Sequence, residues 1–377
     1  MSDVILPGAA IGFLGGGQLG RMAALAAREM GYDVHVLDPD PDCPAGALAT
    51  EVITARFDDP QAAARLAQSC AVVTIEIERI AIASMESAAR HAPVRPGAAV
   101  LAVVQERERQ KAWLRDHGFP VGPYRSAGTV AECEAAVAAL GPSFVKASTG
   151  GYDGRGQVRV DRPDECAAAW RALRATRCVV EQALDLAAEV SVMVARRPGG
   201  ETAIFPVALN HHERGQLAWS VIPAPVDARL SEAAAQLGRA VAAAMGVVGV
   251  LAIEMFVLGD QTLLVNELAP RPHNSFHHTI EGCVTSQFEQ LVRAVCDLPL
   301  GDTGLLRPAA IANILGDAWR DHRPPDFAAA LAVPDTRLHL YGKRDARPAR
   351  KMGHLAAVAD TPLEARARVL EAAGRLG

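Results

Sequence analysis

The chain lacks the features that mark secreted, zinc-binding or membrane proteins. Its seven cysteines are an odd, scattered set without a Cys-x-x-Cys pair, which argues against a disulfide framework and against a zinc site. No apolar run reaches the length of a membrane span, and the N-terminus has an acid and an early proline where a secretory signal needs basic residues and an apolar block. We therefore expect reduced thiols in a cytoplasmic protein that binds no membrane.

An excess of positive charge is also missing. The formal net charge is −5 and the isoelectric point is about 6.1, so no global field attracts the protein to nucleic acid and any phosphate site must be local. The 377 residues, 50% hydrophobic and 21% charged, are typical of a globular protein. A chain of this length has room for about two or three domains.

Hydrophobic patterning divides the chain into three regions. Up to residue 101, apolar strand-like runs alternate with alanine-rich helical stretches, which predicts a parallel sheet with crossover helices. The middle of the chain mixes helices with antiparallel ribbons, and the tail is rich in proline and arginine until a final helix predicted over 363–373. We predict an N-terminal parallel-sheet domain at 1–101, a central α+β domain at 102–298 and a small C-terminal domain at 299–377.

Two glutamates on a predicted β-hairpin form the most informative candidate site. Glu254 lies on one strand, Glu267 ends the next, and Gly259 and Asp260 between them supply turn chemistry. If the loop closes symmetrically, Glu254 pairs with Glu267 on one face of the ribbon. Two such carboxylates repel unless a cation lies between them, and oxygen-rich sites of this kind suit Mg²⁺. Two solvated acids on an outer face are the alternative.

The segment around Glu267 crowds further polar groups where the chain leaves the ribbon. Asn266, Arg271, His273 and Asn274 place amides, a cation and an imidazole beside the predicted acid pair. This crowding favours a catalytic floor over a solvated ribbon face.

The first glycine loop, Gly15–Gly20, satisfies the Gly-x-Gly-x-x-Gly pattern after a strand. Asp38 closes the next strand at the spacing that a dinucleotide site requires, so the loop alone predicts a nicotinamide-dependent dehydrogenase. Backbone amides at a helix N-terminus bind any anion, however, and a tight turn without a ligand fits the same pattern. A fluorescence titration with NADH would test the dehydrogenase alternative.

A second glycine-rich loop runs from Lys146 to Gln157. Its glycines leave the backbone free to fold amides over phosphate oxygens, but no Gly-Lys-Ser/Thr follows. The pattern predicts a flexible lid, with Lys146 and Arg155 as candidates to neutralise charge during phosphoryl transfer. A glycine hairpin without a ligand is the alternative.

Weaker signals lie elsewhere. Residues 181–184 followed by Glu189 read as a strand, a bend and a strand, where peptide groups could contact a purine edge and a carboxylate could contact a ribose. Ordinary surface acids explain the same pattern. His212 is either a loop histidine or a nucleotide contact. Lys343 and Arg350 form either a solvated basic surface or a grip on the phosphate of a second substrate.

Together these segments resemble the ATP-grasp superfamily and, within it, the family of 5-(carboxyamino)imidazole ribonucleotide synthases. The resemblance covers nearly the whole chain and is carried by Gly15–Met22, Lys146 with Gly150–Gln157, Asn266–Ser275 and Leu340–Lys343. It implies a mixed α/β and α+β architecture: an ATP-grasp fold with an N-terminal Rossmann-like parallel-sheet domain and a small C-terminal domain. The chain departs from the family pattern beside Glu76, at Ile75 and Ile77, and after Ser275, at Phe276 and His277, but neither departure removes a charged group.

The resemblance also implies a reaction and its residues. The reaction is ATP- and bicarbonate-dependent carboxylation of 5-aminoimidazole ribonucleotide through carboxyphosphate, a step of purine biosynthesis. The implied nucleotide contacts are Arg107, Lys146, Gly151, Tyr152, Asp153, Gly154, Arg155, Gly156, Gln157, Glu181, Gln182, Ala183, Leu184, Glu189, His212, Asn266 and Glu267, with Mg²⁺ held by Glu254 and Glu267. The implied surroundings of the ribonucleotide and bicarbonate are Gln18, Leu19, Glu76, Tyr152, Asp153, Arg155, Arg271, His273, Asn274, Lys343 and Arg350.

Among these residues, four are expected to act in catalysis. Arg271 would hold bicarbonate, Lys146 would neutralise phosphate charge, and Glu76 and His273 would orient the ribonucleotide and manage protons. Homodimers are common among relatives, so we expect a homodimer. Another ATP-grasp ligase or transformylase, and a nucleotide sensor without chemistry, remain alternatives; the intact charged groups speak against the sensor.

Overall fold

In a computed structural model of the chain, the described residues are 4–150, 156–320 and 323–377. The strands are β1 (Ala10–Leu14), β2 (Asp33–Asp38), β3 (Glu51–Thr54), β4 (Val72–Ile75), β5 (Tyr124–Ala127), β6 (Ser143–Ala147), β7 (Gln157–Val160), β8 (Cys178–Gln182), β9 (Leu186–Arg196), β10 (Thr202–Ile204), β11 (Ala208–Glu213), β12 (Gln216–Ile222), β13 (Gly249–Leu258), β14 (Leu263–Ala269), β15 (Ala309–Leu315), β16 (Thr336–Leu340) and β17 (Lys351–Val358). The helices are α1 (Gln18–Glu29), α2 (Pro60–Gln68), α3 (Ile82–Ala88), α4 (Ala98–Val104), α5 (Arg107–Asp116), α6 (Val130–Leu140), α7 (Cys166–Leu173), α8 (Ala228–Met245), α9 (Thr279–Gly282), α10 (Gln287–Val295), α11 (Phe327–Leu331) and α12 (Pro362–Gly374).

The N-terminal sheet is parallel, in the order β3-β2-β1-β4, as the alternating pattern predicts. Helices α1 and α2 follow β1 and β3, and their alanine-rich inner faces are buried. Leu14 at the end of β1 pairs with Ile75 at the end of β4. The glycine loop after β1 and Glu76 after β4 therefore emerge side by side at the carboxyl edge of the sheet, where ligands of parallel sheets bind.

A smaller antiparallel sheet, in the order β5-β8-β6-β7, forms one lobe of the central region. Helices α6 and α7 cover one face of it through a core that includes Cys133, Val137, Val145 and Cys166. Strand β6 lies between β7 and β8, so Lys146 pairs with Gln157 on one side and with Val179 on the other.

The largest sheet has the order β14-β13-β9-β11-β12-β15-β17-β16, with β10 paired to β9. The buried part of strand β9, residues 190–195, is apolar apart from Ser191, as expected for a strand whose two faces are both covered. Val192 and Val194 pack with the core that includes α8, whereas Met193 and Ala195 pack with the core that includes α10 and α1. In the described part of the chain, no helix is both long and apolar enough to cross a membrane.

The tail contributes strands that the sequence analysis missed. Strands β15, β17 and β16 join the largest sheet because β15 pairs with β12. Alanine-rich runs such as residues 309–315 carry little β-propensity, and small side chains occur there because α12 packs closely over them. The sheet is thus continuous across residue 299, and α4 spans residue 101. The domain limits at these two residues remain predictions.

Candidate active site

The predicted pairing of Glu254 with Glu267 is confirmed, but by a different hairpin register. The loop does not close symmetrically: the Leu258 N–H donates to Thr262 O at 3.0 Å, and Gln261 has a φ of 67°. The register is therefore offset by one residue beyond the acids, and a β-bulge at Asn266 restores it. The bulge brings the two acids opposite each other and turns the Asn266 side chain to the same place.

The two acids differ in their surroundings. The Glu267 Oε2 lies 3.2 Å from Arg107 Nη1, and Arg107 with Lys146 outweighs burial and lowers the pKa of Glu267. Burial raises the pKa of Glu254 to about 6, and the charges of Glu267 and Glu189 add to this effect. Proximity of two partly buried acids is costly without an intervening cation, which fits a cation-binding role.

Asn266 gives a separate test of that fit. Its Oδ1 is buried and has no hydrogen-bond partner among the described residues, while its Nδ2 lies 3.5 Å from Glu254 Oε2. A buried amide oxygen without a donor beside two carboxylates is the oxygen-rich donor set that Mg²⁺ prefers. The described residues contain no cluster of three or more histidine, cysteine or acidic side chains suited to a metal, so substrate oxygens would have to complete such a site.

A buried cationic cluster faces these acids from the smaller sheet. Lys146 Nζ on β6 lies 3.1 Å from Glu181 Oε2 on β8, and Lys111 Nζ on α5 lies 3.3 Å from the same oxygen. Burial opposes the charge on Glu181, but Lys111, Lys146 and Arg107 lower its pKa to about 2. The cluster therefore holds a fully ionised carboxylate with cations on either side.

Lys111 was missed by the sequence analysis. It is 3% exposed, and α5 carries Arg107, Lys111 and Leu114 at the spacing of one helix face. The available signal was that two cations share a helix face with a leucine of the core. Because Arg107 bonds Glu267 and Lys111 bonds Glu181, α5 connects the acid pair to the cationic cluster.

A cavity of about 40 Å³ lies where these groups meet. Arg107, Gln110, Ser148, Gly150 and Glu267 line it together with residues of the α4–α5 turn. The predicted lid residues Gly151, Tyr152, Asp153, Gly154 and Arg155 lie outside the described residues. Gly156 and Gln157 are described: Ala147 N–H donates to Gly156 O at 2.8 Å, and Gln157 pairs with Lys146. The structure thus brings the far end of this loop next to Lys146.

Glu189 and His212 lie on neighbouring strands at one side of this region. His212 is on β11, not in a loop, and its Nδ1 lies 3.0 Å from Glu189 Oε2 on β9. Burial alone would lower the pKa of His212, but Glu189 and Glu254 raise it. In the segment at 182–184, the N–H groups of Gln182 and Ala183 donate to Pro123 O and Pro142 O. Those two donors are therefore not free for a purine, which leaves that role to other groups of the segment.

In the first glycine loop, two backbone N–H groups already donate to carboxylates of the protein itself. Gly20 N–H donates to Glu76 Oε2 at 3.1 Å, and Gly16 N–H donates to Asp38 Oδ2 at 2.8 Å. A Cβ on Gly17 would lie 2.7 Å from Glu76 Oε1, so only glycine permits this approach. Asp38 also accepts from Asp40 N–H, so each of its carboxylate oxygens already has a backbone donor. Burial raises the pKa of Glu76 despite the loop amides.

Arg271, His273 and Asn274 follow the acid pair. The Arg271 Nε lies 2.7 Å from Glu78 Oε1, a partner that the sequence analysis did not single out. His273 Nε2 lies 3.4 Å from Glu254 Oε1, and burial together with Arg271 lowers its pKa well below 6.5. Both polar atoms of the buried Asn274 amide lack hydrogen-bond partners among the described residues.

The tail reaches the N-terminal loop through one of its two predicted cations. Lys343 Nζ donates to Gln18 Oε1 at 2.6 Å, which joins residues far apart in the chain. Arg350 Nη1 donates to Asp345 O at 3.0 Å, within the tail itself. Leu19, in the first turn of α1, packs its side chain in the core, and its predicted substrate contact remains a prediction. Lys343 and Gln18 are therefore brought together, while Arg350 lies with the tail.

Comparisons with known proteins cover nearly the whole chain. Family models match residues 9–105 (ribonucleotide synthetase preATP-grasp domain), 112–288 (ATP-grasp domain) and 309–368 (phosphoribosylaminoimidazole carboxylase C-terminal domain). The N5-carboxyaminoimidazole ribonucleotide synthase of Bacillus subtilis is 41% identical over 94% of this chain and 92% of its own length. That of Brucella melitensis is 41% identical over 93% of this chain and 96% of its own.

Solved structures agree. An ADP complex of an N5-carboxyaminoimidazole ribonucleotide synthetase superposes with a TM-score of 0.92 at 40% identity, covering 99% of this chain and 98% of that one. The Aspergillus clavatus N5-carboxyaminoimidazole synthase, in complex with ADP and 5-aminoimidazole ribonucleotide, superposes with a TM-score of 0.90 at 32% identity, covering 98% of each chain. These likenesses extend over the N-terminal, central and C-terminal regions alike.

Proposed function

The chain belongs to the N5-carboxyaminoimidazole ribonucleotide synthase family of ATP-grasp ligases, and on that premise we propose that it carboxylates 5-aminoimidazole ribonucleotide with ATP and bicarbonate. The observation that carries the proposal is that two groups of charged side chains meet at α5. Glu254 and Glu267 lie opposite each other on the largest sheet, and Lys146, which pairs with Glu181 on the smaller sheet, acts on Glu267 by its charge. Such an arrangement fits a triphosphate between acid-bound metal and cationic side chains.

We assign the nucleotide phosphates to the region between Lys146, Arg107 and Glu267. Phosphoryl transfer requires little covalent help from a protein but much charge neutralisation. Lys146 and Arg107 would contact phosphate oxygens. Glu254 and Glu267, with the unpartnered Asn266 Oδ1, would hold Mg²⁺, which would neutralise the β- and γ-phosphate charge when bound. The base and ribose would extend towards residues 181–184, Glu189 and His212.

The acceptor substrates belong on the other side of Glu267. Arg271, fixed by Glu78, presents a guanidinium that suits the planar bicarbonate ion. Glu76 and His273 would orient the aminoimidazole, and the low pKa of His273 keeps its ring neutral, as a hydrogen-bonding group rather than a cation. Lys343, beside Gln18, would contact the ribonucleotide phosphate from the tail.

Two bond exchanges complete the reaction. A bicarbonate oxygen attacks the γ-phosphorus and the bond to the bridging oxygen of ADP breaks, which gives carboxyphosphate. The exocyclic amine of the ribonucleotide then bonds the carboxyl carbon, inorganic phosphate leaves, and the amine loses a proton. Carboxyphosphate is short-lived in water, so the groups that shield it also determine the yield.

Product analysis tests the proposal. The purified protein is incubated with ATP, Mg²⁺ and bicarbonate, with and without 5-aminoimidazole ribonucleotide, while ADP, phosphate and carboxylated product are measured. We expect product in proportion to ADP only when all substrates are present. ADP release that is independent of both bicarbonate and ribonucleotide, or conversion of NADH, would contradict it.

We also infer a homodimer in the cytoplasm. Ile280, Val284 and Leu306 are 36%, 52% and 63% exposed, and the Leu306 N–H donation to Gly282 O holds them in one neighbourhood. An apolar group of this kind suits a subunit interface. The described cysteines are all free thiols, which suits a reducing compartment. Sedimentation of the wild type and of Val284→Asp tests the interface; a monomeric wild type would contradict it.

A further inference from the structure

Three buried glutamines of the described residues each pair with both backbone groups of a single residue. Gln287 pairs with His273, Gln110 with Leu268 and Gln290 with Gly301. In each pair the side-chain carbonyl accepts from the backbone N–H and the side-chain NH₂ donates to the backbone C=O. The backbone groups fix which end of each amide is which, because an N–H only donates and a C=O only accepts.

Gln287 holds His273 from the first turn of α10. Its Oε1 accepts from His273 N–H at 2.8 Å and its Nε2 donates to His273 O at 2.9 Å. The glutamine is itself fixed: its own N–H donates to Thr279 Oγ1 at 3.0 Å, and its Nε2 also reaches His277 Nδ1 at 3.0 Å. The side chain is 0% exposed, so no water competes for these bonds.

Gln110 holds Leu268 from α5. Its Oε1 accepts from Leu268 N–H at 3.2 Å and its Nε2 lies 3.4 Å from Leu268 O. Strand β14 is at the end of the sheet order, so one row of its backbone groups faces away from β13. Gln110 thus completes the pairing of an edge strand at the point where the chain leaves it.

The Arg271 segment, residues 269–272, lies between these two clamps. Pro270 and Pro272 flank Arg271 and have no N–H, so the segment has few donors with which to hold itself. In the described part of the chain, residues 270–272 make no backbone–backbone hydrogen bond outside strands. We propose that Gln110 and Gln287 are positioning residues that hold the Arg271 segment at its two ends and so set where Arg271 and His273 meet the substrates.

The consequence concerns bicarbonate more than ATP, and it rests on the proposed function of Arg271. A guanidinium on a loosened segment would no longer hold bicarbonate in line with the γ-phosphate, and small misplacements of this kind reduce rates strongly. Lys146 and Glu181 lie on the smaller sheet and do not depend on α10. Loss of Gln287 should therefore leave ATP binding largely intact.

The test compares Gln287→Met with Gln290→Met. Both glutamines are 0% exposed, lie on α10 and pair with one backbone residue, but Gly301 belongs to the stretch 275–342, which contains none of the proposed site residues. Methionine fills a similar volume without hydrogen bonds. We expect similar losses in Tm for both variants. Only Gln287→Met should lower kcat and raise the KM for bicarbonate, by about 10- to 100-fold in kcat/KM, with the KM for ATP unchanged.

Gln110→Met tests the other end of the segment from a different helix, so the outcome does not depend on one variant folding. It is expected to raise the KM for bicarbonate in the same direction. Kinetics of Gln287→Met equal to those of Gln290→Met, or normal bicarbonate kinetics in either folded clamp variant, would overturn the inference. A wild type without bicarbonate-dependent ADP formation would instead refute the proposed function, and the inference with it.

Discussion

The first glycine loop and the end of the acid hairpin look equally functional in sequence, but the structure treats them differently. The loop amides of Gly16 and Gly20 are taken by Asp38 and Glu76, so this region satisfies most of its own polar groups. At the hairpin end, Asn266 and Asn274 keep buried polar atoms without partners among the described residues. A binding site is better recognised by buried polar atoms that have no hydrogen-bond partner within the protein than by a glycine pattern whose backbone amides are already hydrogen-bonded.

Removal of Glu267 should have the largest effect and most directly tests the hairpin side of this comparison. Glu267→Ala should reduce ADP formation on the order of 10³-fold or more, because the proposed metal and Arg107 lose a shared carboxylate. Steady-state ADP release measures the loss, and circular dichroism checks the fold. Asp260→Ala, in the exposed turn of the same hairpin, should be close to wild type. Normal turnover by Glu267→Ala would remove the metal assignment.

Glu76→Gln tests whether the self-satisfied loop also has a catalytic role. A neutral amide keeps an acceptor for the Gly20 N–H but cannot take up a proton, so kcat with the ribonucleotide should fall by about 10- to 100-fold. Initial rates at saturating ATP and bicarbonate measure this. Glu86→Gln, an exposed acid on α3, serves as the matched control. Equal rates for the two variants would show that Glu76 only supports the loop.

Lys343→Ala tests the region of the first glycine loop and should change the kinetics of one substrate only. Its proposed contact is a substrate phosphate, so the KM for the ribonucleotide should rise by about tenfold, as for the loss of one charged hydrogen bond, while the KM for ATP stays constant. Substrate-saturation curves for each substrate distinguish the two. Arg337→Ala, an exposed cation on β16, should change neither. An effect confined to ATP would reverse the assignment of the tail.

Replacement of His278 should have the smallest effect on activity. This residue also shows that a buried polar atom without a partner does not by itself mark a binding site. Both of its ring nitrogens lack partners among the described residues, and the ring is fully buried with its edge against Phe276. Burial lowers its pKa from 6.5 to about 3, so below pH 6.5 the unfolded chain binds a proton that the folded chain does not. Its contribution to stability is therefore lost as the pH falls from 6.5 towards 3.

His278→Phe should remove this acid sensitivity. The free energy of unfolding of the variant, relative to that of wild type, should be about 2 kcal/mol higher at about pH 5 than at about pH 8. Activity should stay within about twofold of wild type. Urea unfolding at the two pH values measures the gain. An unchanged pH dependence would mean that the ring is charged or solvated in the fold.

Much of the site was predictable because its signals are local. Glu254 and Glu267 flank a turn signal, and the elements of the N-terminal parallel sheet follow from strand–helix alternation. The symmetric loop closure assumed for the acid pairing was wrong: the strands are offset by one residue beyond the acids, and the bulge at Asn266 restores the pairing. A bulge leaves no periodic signal in a short strand, so the sequence could not have specified it.

For other features, the sequence pattern could not reveal the interaction partner, because the partners are distant in the chain. Lys111 was overlooked in a charged helix, and its role appears only when Glu181 reaches it across the fold. Glu78 is likewise an ordinary surface acid until Arg271 pairs with it. Strand β15 of the tail was missed because an alanine-rich run acquires its extended form from the sheet it joins.

The sequence by itself determined which chemical groups are available: paired carboxylates, a lysine before a glycine loop, and an arginine between prolines. These depend on residue type and short spacing, which the chain encodes directly. The tertiary structure decided which of them remain free to bind a substrate. That depends on whether each buried polar group finds a partner within the protein, and the partners of Gly20, Glu181 and His273 come from segments that only folding brings together.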